Sequence, residues 1–244
     1  MDPAELRERA RVIDWWHTMD LGHGVTTHGR DRTTEKLVTL QLPERLDGQS
    51  VLDIGAWDGA FSFEAERRGA ARVLAVDPMW ANDGVPGFDR SGFELARAAL
   101  ASKVEDAVID VHSLDPAQIG RFDVVLLLGV LYHLQDPIGA LQRVASVTRG
   151  LLVVETHADF LNLRRSAAGF YPGDEVNRDD TNWWGPNSAA LRGMLQAVGF
   201  QDVHIVYRPT PRQRWVDATR ARFTTGDSFR RGRTRGRLVA HAVR

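Results

Sequence analysis

Apolar positions along the chain switch between two periods. From residue 3 to 19, Leu6, Ala10, Ile13 and Trp16 recur every three or four positions, which predicts a helix with one apolar face. Asp2 stands at the N-cap position and Pro3 fits the first turn. Gly22, Gly24 and Gly29 then break the chain, and Leu37, Val38 and Leu40 mark a second helix over 33–42. From residue 50 the pattern alternates. Short runs at 50–54, 71–77, 104–110, 122–128 and 151–155 read as strands. Helical periods lie between them at 60–68, at 91–102, and after Asp136-Pro137, where Ile138, Leu141, Val144 and Ala145 face inward. Gly69 stops the first of these helices, and Ser91 with Glu94 matches a capping box opening the second. Residues 84–87, two glycines around Val85 and Pro86, read as a loop. The run 122–128 is apolar apart from Asp123, as a central strand covered on both faces requires. This order predicts a parallel, doubly wound α/β sheet with right-handed crossovers.

The alternation stops after residue 155. Residues 157–187 carry Phe160, Phe170, Tyr171, Trp183 and Trp184 among Asp174, Glu175, Asp179 and Asp180. A connection of this length is usually functional, and its aromatic density argues against disorder. It reads as a lid on the substrate side, with a subdomain that only pads the sheet as the alternative. Asn187 or Ser188 caps a further helix that ends at Gly199. A strand at 202–207, an arginine-rich insertion at 208–235 and a last strand at 238–243 complete the chain. Residues 1–49 read as a helical cover, or as a packing arm, for a domain over 50–244.

With 244 residues and 43% hydrophobic content, the chain can build one large α/β core without staples. The absence of cysteine excludes disulfides, a thiolate nucleophile and Cys-ligated metal. The histidines are scattered, so no metal is expected. The first residues are polar and acidic, unlike a leader, and no run approaches the roughly 18 apolar residues of a membrane span. A cytoplasmic protein without membrane contact is the expectation. Net charge is -1, which gives no general pull toward polyanions. The charge is uneven, however. Residues 201–244 hold eleven arginines against three aspartates, about +8, and such asymmetry marks a surface for an acidic partner.

Candidate chemistry centres on Val51 to Gly59. A short buried strand runs into a tight turn with Gly55 and Gly59, then a helix, and the next strand ends in Asp77. That is the layout of a nucleotide-type cofactor site. The dinucleotide pattern G-x-G-x-x-G fails, because Trp57 takes its second glycine position and Ala60 its third. Asp53, two residues before Gly55, sits badly beside a pyrophosphate but suits a ligand with an ammonium and a sulfonium. The stretch D-x-G-x-x-x-G followed by Asp77 resembles motif I of class I methyltransferases, which implies S-adenosylmethionine as the cofactor. Asp77 then suits both ribose hydroxyls, Asp110 or His112 the adenine edge, and Val111 the adenine face. Methyl transfer is an in-line displacement that needs water excluded and a nucleophile about 3 Å from the methyl. Tyr132 and His133, after the fourth strand, stand where that methyl would point. His133 is the first candidate base, and His157, with Asp159 as orienter, the second.

Phe122-Asp123 followed by Leu128-Gly129-Val130-Leu131-Tyr132-His133 resembles the bacterial tRNA wobble-uridine carboxymethyltransferase family. Residues 151–156, Asn187-Ser188 and 199–203 are similar too, and the likeness runs from about residue 24 to the C-terminus. It implies a three-layer class I methyltransferase sandwich on a seven-stranded mixed sheet with its last strand antiparallel. It also implies cofactor contacts at Lys36, Gly55, Asp77, Pro78, Met79, Val111, His112, Leu128, Tyr132 and Arg237. Two departures stand out. In the family a lysine, a tyrosine and a late arginine hold the extra carboxylate of a carboxylated donor. Tyr132 and Arg237 are present here, but the lysine's position falls near His17. Trp57 also stands in a turn that the family fills with glycine. Plain S-adenosylmethionine is therefore expected in preference to the carboxylated form, with O-methylation of a small molecule as the reaction. A tRNA-modifying enzyme, a cofactor-binding protein without catalysis and a nicotinamide oxidoreductase are the alternatives.

Overall fold

The computed structural model describes residues 1–82, 89–224 and 229–244. The loop expected at 84–87 lies outside the described residues. The chain forms two compact units, Met1–Leu126 and Leu127–Arg244.

In the first unit, helix α1 covers Pro3–Val12 and is capped as expected, with the Asp2 carboxylate accepting from the amides of Ala4 (3.0 Å) and Glu5 (3.1 Å). It ends seven residues earlier than the apolar period predicts. Ile13 turns extended at ψ 136°. From there the period is two, so Trp15 and His17 are buried and Trp16 is exposed, the reverse of the expectation for Trp16. The reason lies in hydrogen bonding: Trp15 Nε1 donates to the Ala10 carbonyl at 2.8 Å, closing the helix end. Helix α2 spans Thr33–Leu40. Strand β1 (Ser50–Ile54) leads into α3 (Ala60–Arg67), which returns to β2 (Arg72–Val76), parallel to β1. Helix α4 (Ser91–Ala99) follows without the expected capping box. Ser91 Oγ donates to Asp89 Oδ1 at 2.6 Å instead, and Arg90 occupies the cap position. Strand β3 is only Glu105–Ala107, parallel to β2, because Asp110 instead caps a 3-10 turn over Val111–Ser113. A short helix, α5 (Pro116–Ile119), precedes β4 (Phe122–Leu128). Every β4 residue but Asp123 is buried, and Asp123 Oδ2 accepts from Ser50 N (2.9 Å) and Ser50 Oγ (2.7 Å).

In the second unit, Asp136 caps α6 (Pro137–Val147). Leu141, Val144 and Ala145 are buried as expected, while Ile138 in the first turn is exposed. Strand β5 runs from Thr148 to Ala158, about twice its expected length. A hairpin of β6 (Ala168–Phe170) and β7 (Trp184–Pro186) follows, then α7 (Ser188–Ala197), capped by Asn187 Oδ1 on the Ala190 amide at 2.9 Å. After β8 (Asp202–Tyr207) come α8 (Pro211–Thr224), α9 (Phe229–Gly232) and β9 (Gly236–Val243). β9 pairs antiparallel with both β5 and β8, and its partnership with 151–158 is what lengthens β5.

Strand order is β3-β2-β1-β4-β5-β9-β8 in one mixed seven-stranded sheet with flanking helices, the class I methyltransferase arrangement, its last strand antiparallel. The order reverses between β1 and β4, and ligands of such sheets bind beyond the carboxyl ends of the strands there. No helix among the described residues is long and apolar enough to cross a membrane.

Candidate active site

The turn after β1 has three residues in the left-handed region: Gly55 (φ 73°), Trp57 (φ 51°) and Gly59 (φ 81°). Tryptophan is costly there, and the neighbours hold it. The Trp57 amide donates to Asp77 Oδ2 at 2.9 Å, and its carbonyl accepts from Trp80 Nε1 at 3.1 Å. Gly59 is required by packing, since a Cβ there would fall 2.6 Å from Phe93 and 2.8 Å from Phe63. The amides of Gly55 and Ala56 both donate to the Val76 carbonyl, which fixes the turn against β2.

Asp77 ends β2 at 2% exposure. Its Oδ1 accepts from the Met79 amide at 2.8 Å and its Oδ2 from Trp57. Burial pushes its pKa up against the pull of those two bonds. Each oxygen receives a single backbone donor, so each retains acceptor capacity, which fits the paired hydroxyls of a ribose. Pro78 is exposed and Met79 half-buried in the 3-10 turn that follows. Asp110, its side chain 51% exposed, accepts from the His112 amide at 2.8 Å and faces His112 Nδ1 at 3.2 Å. Val111 between them packs into the interior. Lys36 is ion-paired with Asp31 at 2.9 Å and lies 5.7 Å over the ring of Phe61, in the first turn of α3.

Asp53 departs from expectation. It is 1% exposed, and its Oδ2 accepts from Ser62 Oγ at 2.6 Å inside the core. Burial raises its pKa to about 6, against the lowering by the Ser62 bond. It supports the start of α3 from below and presents no surface to a ligand. The acid that sequence reasoning missed is Asp58. Its Oδ2 accepts from the amides of Trp16 (2.7 Å) and His17 (2.9 Å), which seats the segment after α1 on the glycine turn. An acid between two glycines was visible in the sequence, but its partners lie more than 40 positions away.

In the second unit, Leu128 ends β4, and the Gly129 amide (φ 77°) donates to the Glu155 carbonyl at 2.9 Å. Tyr132 and His133 follow in a 3-10 turn, their rings 4.1 Å apart. Arg237 stacks 4.7 Å over the Tyr132 ring and is ion-paired in bidentate fashion with Glu155, itself 2% exposed. Glu155, Tyr132 and the pairing bonds keep Arg237 firmly cationic although burial opposes it. No sequence signal singled out Glu155, because it was one of several polar residues at a strand end.

His133 Nδ1 lies 3.1 Å from the Thr181 carbonyl and 2.9 Å from Thr181 Oγ1. A carbonyl only accepts, so Nδ1 carries the proton and Nε2 is the basic nitrogen. Burial lowers the pKa of His133, which keeps the ring neutral. His157 is a poorer base than expected: burial, then Arg237 and Arg235, push its pKa down to about 3. Its Nε2 is shut from solvent without a hydrogen-bond partner, between the rings of Tyr132 (6.3 Å) and Tyr171 (5.9 Å). Asp159 does not orient it. That carboxylate accepts from Tyr171 Oη (2.7 Å), Thr234 Oγ1 (2.6 Å), the Phe160 amide (2.6 Å) and Arg235 Nε (3.2 Å). Burial alone would raise the Asp159 pKa, but these four bonds outweigh it and hold the group ionised. Beside this cluster Phe170 packs on Trp183 (6.1 Å) and Trp184 (5.0 Å). Among the described residues no group of three or more side chains has a metal-ligating arrangement.

A family model described as a methyltransferase domain matches residues 26–205. The chain belongs to the methyltransferase domain family. This methyltransferase has the class I fold. It is 30% identical over 164 residues to a tRNA U34 carboxymethyltransferase of Ectopseudomonas mendocina, covering 66% of this chain and 48% of that protein. It is also 30% identical over 182 residues to the protein of that name from Dichelobacter nodosus, covering 71% and 54%. The methyltransferase spans about half the length of these curated relatives. Its fold is similar to the N-terminal domain of EvdMO1 with SAH bound, at a TM-score of 0.64 and 19% identity, covering 100% of this chain and 97% of that one. It is likewise similar to an S-adenosylmethionine dependent methyltransferase from Mesorhizobium loti, at a TM-score of 0.52 and 18% identity, covering 86% and 96%.

Proposed function

We propose that the chain transfers a methyl group from plain S-adenosylmethionine to an oxygen of a small-molecule acceptor. The observation that carries the choice of donor is the ion pair between Glu155 and Arg237. A carboxylated donor asks for a cation with unmet charge, and Arg237 already faces a buried carboxylate. The family's lysine is also missing near His17.

In this reading Asp77 would hold the ribose hydroxyls, Asp110 or His112 the adenine edge, and Gly55 the close approach of the backbone. Lys36, Trp57, Pro78, Met79, Leu128, Tyr132 and Arg237 would complete the contacts, with Gly59, Val111 and Asp53 supporting them from within. When bound, the donor supplies an electrophilic methyl on a sulfonium. His133 Nε2 takes the proton from the acceptor hydroxyl, with Thr181 fixing the ring. Tyr132 excludes water beside it, and the Phe170, Trp183 and Trp184 rings offer an apolar wall to a planar acceptor.

A second reading, modification of a tRNA wobble uridine, draws on the names of the curated relatives and on the same aromatic rings, since unstacked bases pack on aromatic side chains. Incubation with methyl-labelled S-adenosylmethionine, against a panel of hydroxylated small molecules and against bulk tRNA, separates the two. Label in a small-molecule ether is the expected result; label only in tRNA would favour the second reading. Mass spectrometry of the nucleoside that co-purifies with the protein should give the plain donor or its demethylated product, and the mass of the carboxylated donor would refute the proposal.

A further inference from the structure

We infer that the N-terminal end of α7, with the segments that follow β5 and end β8, forms a phosphate-binding subsite. An open cavity of about 580 Å³ is lined by Asn162, Arg164, Ser188, Arg192, Ile205 and Arg208, among others. Its three arginines come from three separate segments, and none of them pairs with a carboxylate among the described residues. Arg192 Nε donates to the Val203 carbonyl at 3.3 Å and Arg208 donates to the Leu161 carbonyl. Carbonyls position a guanidinium without neutralising it.

One of the lining arginines, Arg208, also acts on a further arginine, Arg214. Arg214 is 6% exposed, donates to the Arg233 carbonyl at 3.2 Å, and has an Nε with no partner. Burial, and then the charges of Arg208 and Arg233, lower its pKa. Crowded like charges without a counter-ion are unfavourable, and a bound oxyanion relieves them. The end of α7, a helix of ten residues, adds neutral donors. Asn187 takes the Ala190 amide, while the amides of Ser188 and Ala189 have no partner among the described residues. Ser188 Oγ, at the cavity wall, is likewise buried without a partner. Several forked cations, two free helix-end amides and a spare hydroxyl match the many acceptors of a phosphate group better than the two of a carboxylate. Leu163 and Ile205 leave an apolar wall for whatever carries the phosphate.

This subsite is independent of the donor and acceptor atom proposed above. Calorimetric titration of the full chain at low salt with inorganic pyrophosphate tests it. Single-site binding is expected, weakened at least tenfold in Arg164→Gln/Arg192→Gln and unchanged in Arg244→Gln, an exposed arginine outside the cavity. S-adenosylhomocysteine affinity should be the same in all three proteins, so failure of the subsite leaves the methyl-transfer reading intact. Because Arg192 also braces Val203, Arg164→Glu serves as a second variant and should weaken pyrophosphate in the same way. No binding to the wild type, or equal loss in Arg244→Gln, overturns the proposal.

Competition then identifies the source of the phosphate. Displacement by adenosine monophosphate points to a small phosphorylated molecule. Displacement by a short single-stranded RNA alone, with a salt slope reduced by about two in the double variant, points to a nucleic-acid backbone. Displacement by neither counts against the subsite.

Discussion

At the scale of single residues, two aspartates of the same βα unit have opposite roles. Asp77 keeps its oxygens half-used at a strand end, so Asp77→Asn should lose one acceptor for the ribose and weaken S-adenosylhomocysteine binding by roughly tenfold to a hundredfold, about 1–3 kcal/mol, in calorimetry. Asp53 is buried on Ser62, with its pKa raised to about 6. A raised carboxyl favours the folded state below the ordinary value of 3.8, and that contribution is lost as pH rises through about 6. Asp53→Asn, which still accepts from Ser62, should therefore be more stable than the wild type by about 2–3 kcal/mol at pH 8, a gain that fades toward pH 4. Urea melts at several pH values measure it. The sequence showed both acids at the right distance from Gly55. It did not show which one faces inward, because the direction of a side chain at a strand end depends on where the chain turns.

Among elements, the β6–β7 hairpin packs closely on Tyr171. A Cβ on Gly169 would lie 2.6 Å from Tyr171 Oη and 2.9 Å from its Cζ. Gly169→Ala should cost about 1–3 kcal/mol by overpacking. Pairing it with Tyr171→Phe, which removes the nearest atom, should recover part of that cost in a double-mutant cycle; additive losses would mean the two residues do not meet. The aromatic residues over 157–187 pointed to an ordered stretch, yet their partners were not legible. Tyr171 bonds Asp159, not a substrate, and His157 lies sandwiched between tyrosines rather than oriented by Asp159. The β1-to-β4 alternation and most helix positions were legible, since they rest on local period and caps. The end of α1, the short β3 and the long β5 were not: Trp15 and Asp110 each close a local turn that the apolar period does not show, and β5 is lengthened by its distant partner β9.

For the whole molecule, the proposed donor has a thermodynamic consequence. A ligand that binds only the folded chain raises its stability by mass action. S-adenosylhomocysteine at a hundredfold excess over its Kd should add about 2.7 kcal/mol in a denaturant titration, while NAD should add nothing. The uneven charge, about +8 in residues 201–244, lies outside that account; of its arginines, Arg208 and Arg233 act on Arg214.

Asp58 lies in the turn between Gly55 and Gly59, and one of its oxygens receives the amides of both Trp16 and His17. With the proposed donor on that turn, its occupancy and order in the segment after α1 would be linked, each raising the other by the same factor. Amide hydrogen exchange at Trp16 and His17 should slow when the donor product is bound, and Asp58→Ala should uncouple the two while leaving the sheet amides protected. The two amides on Asp58 would then report donor occupancy through their protection factors.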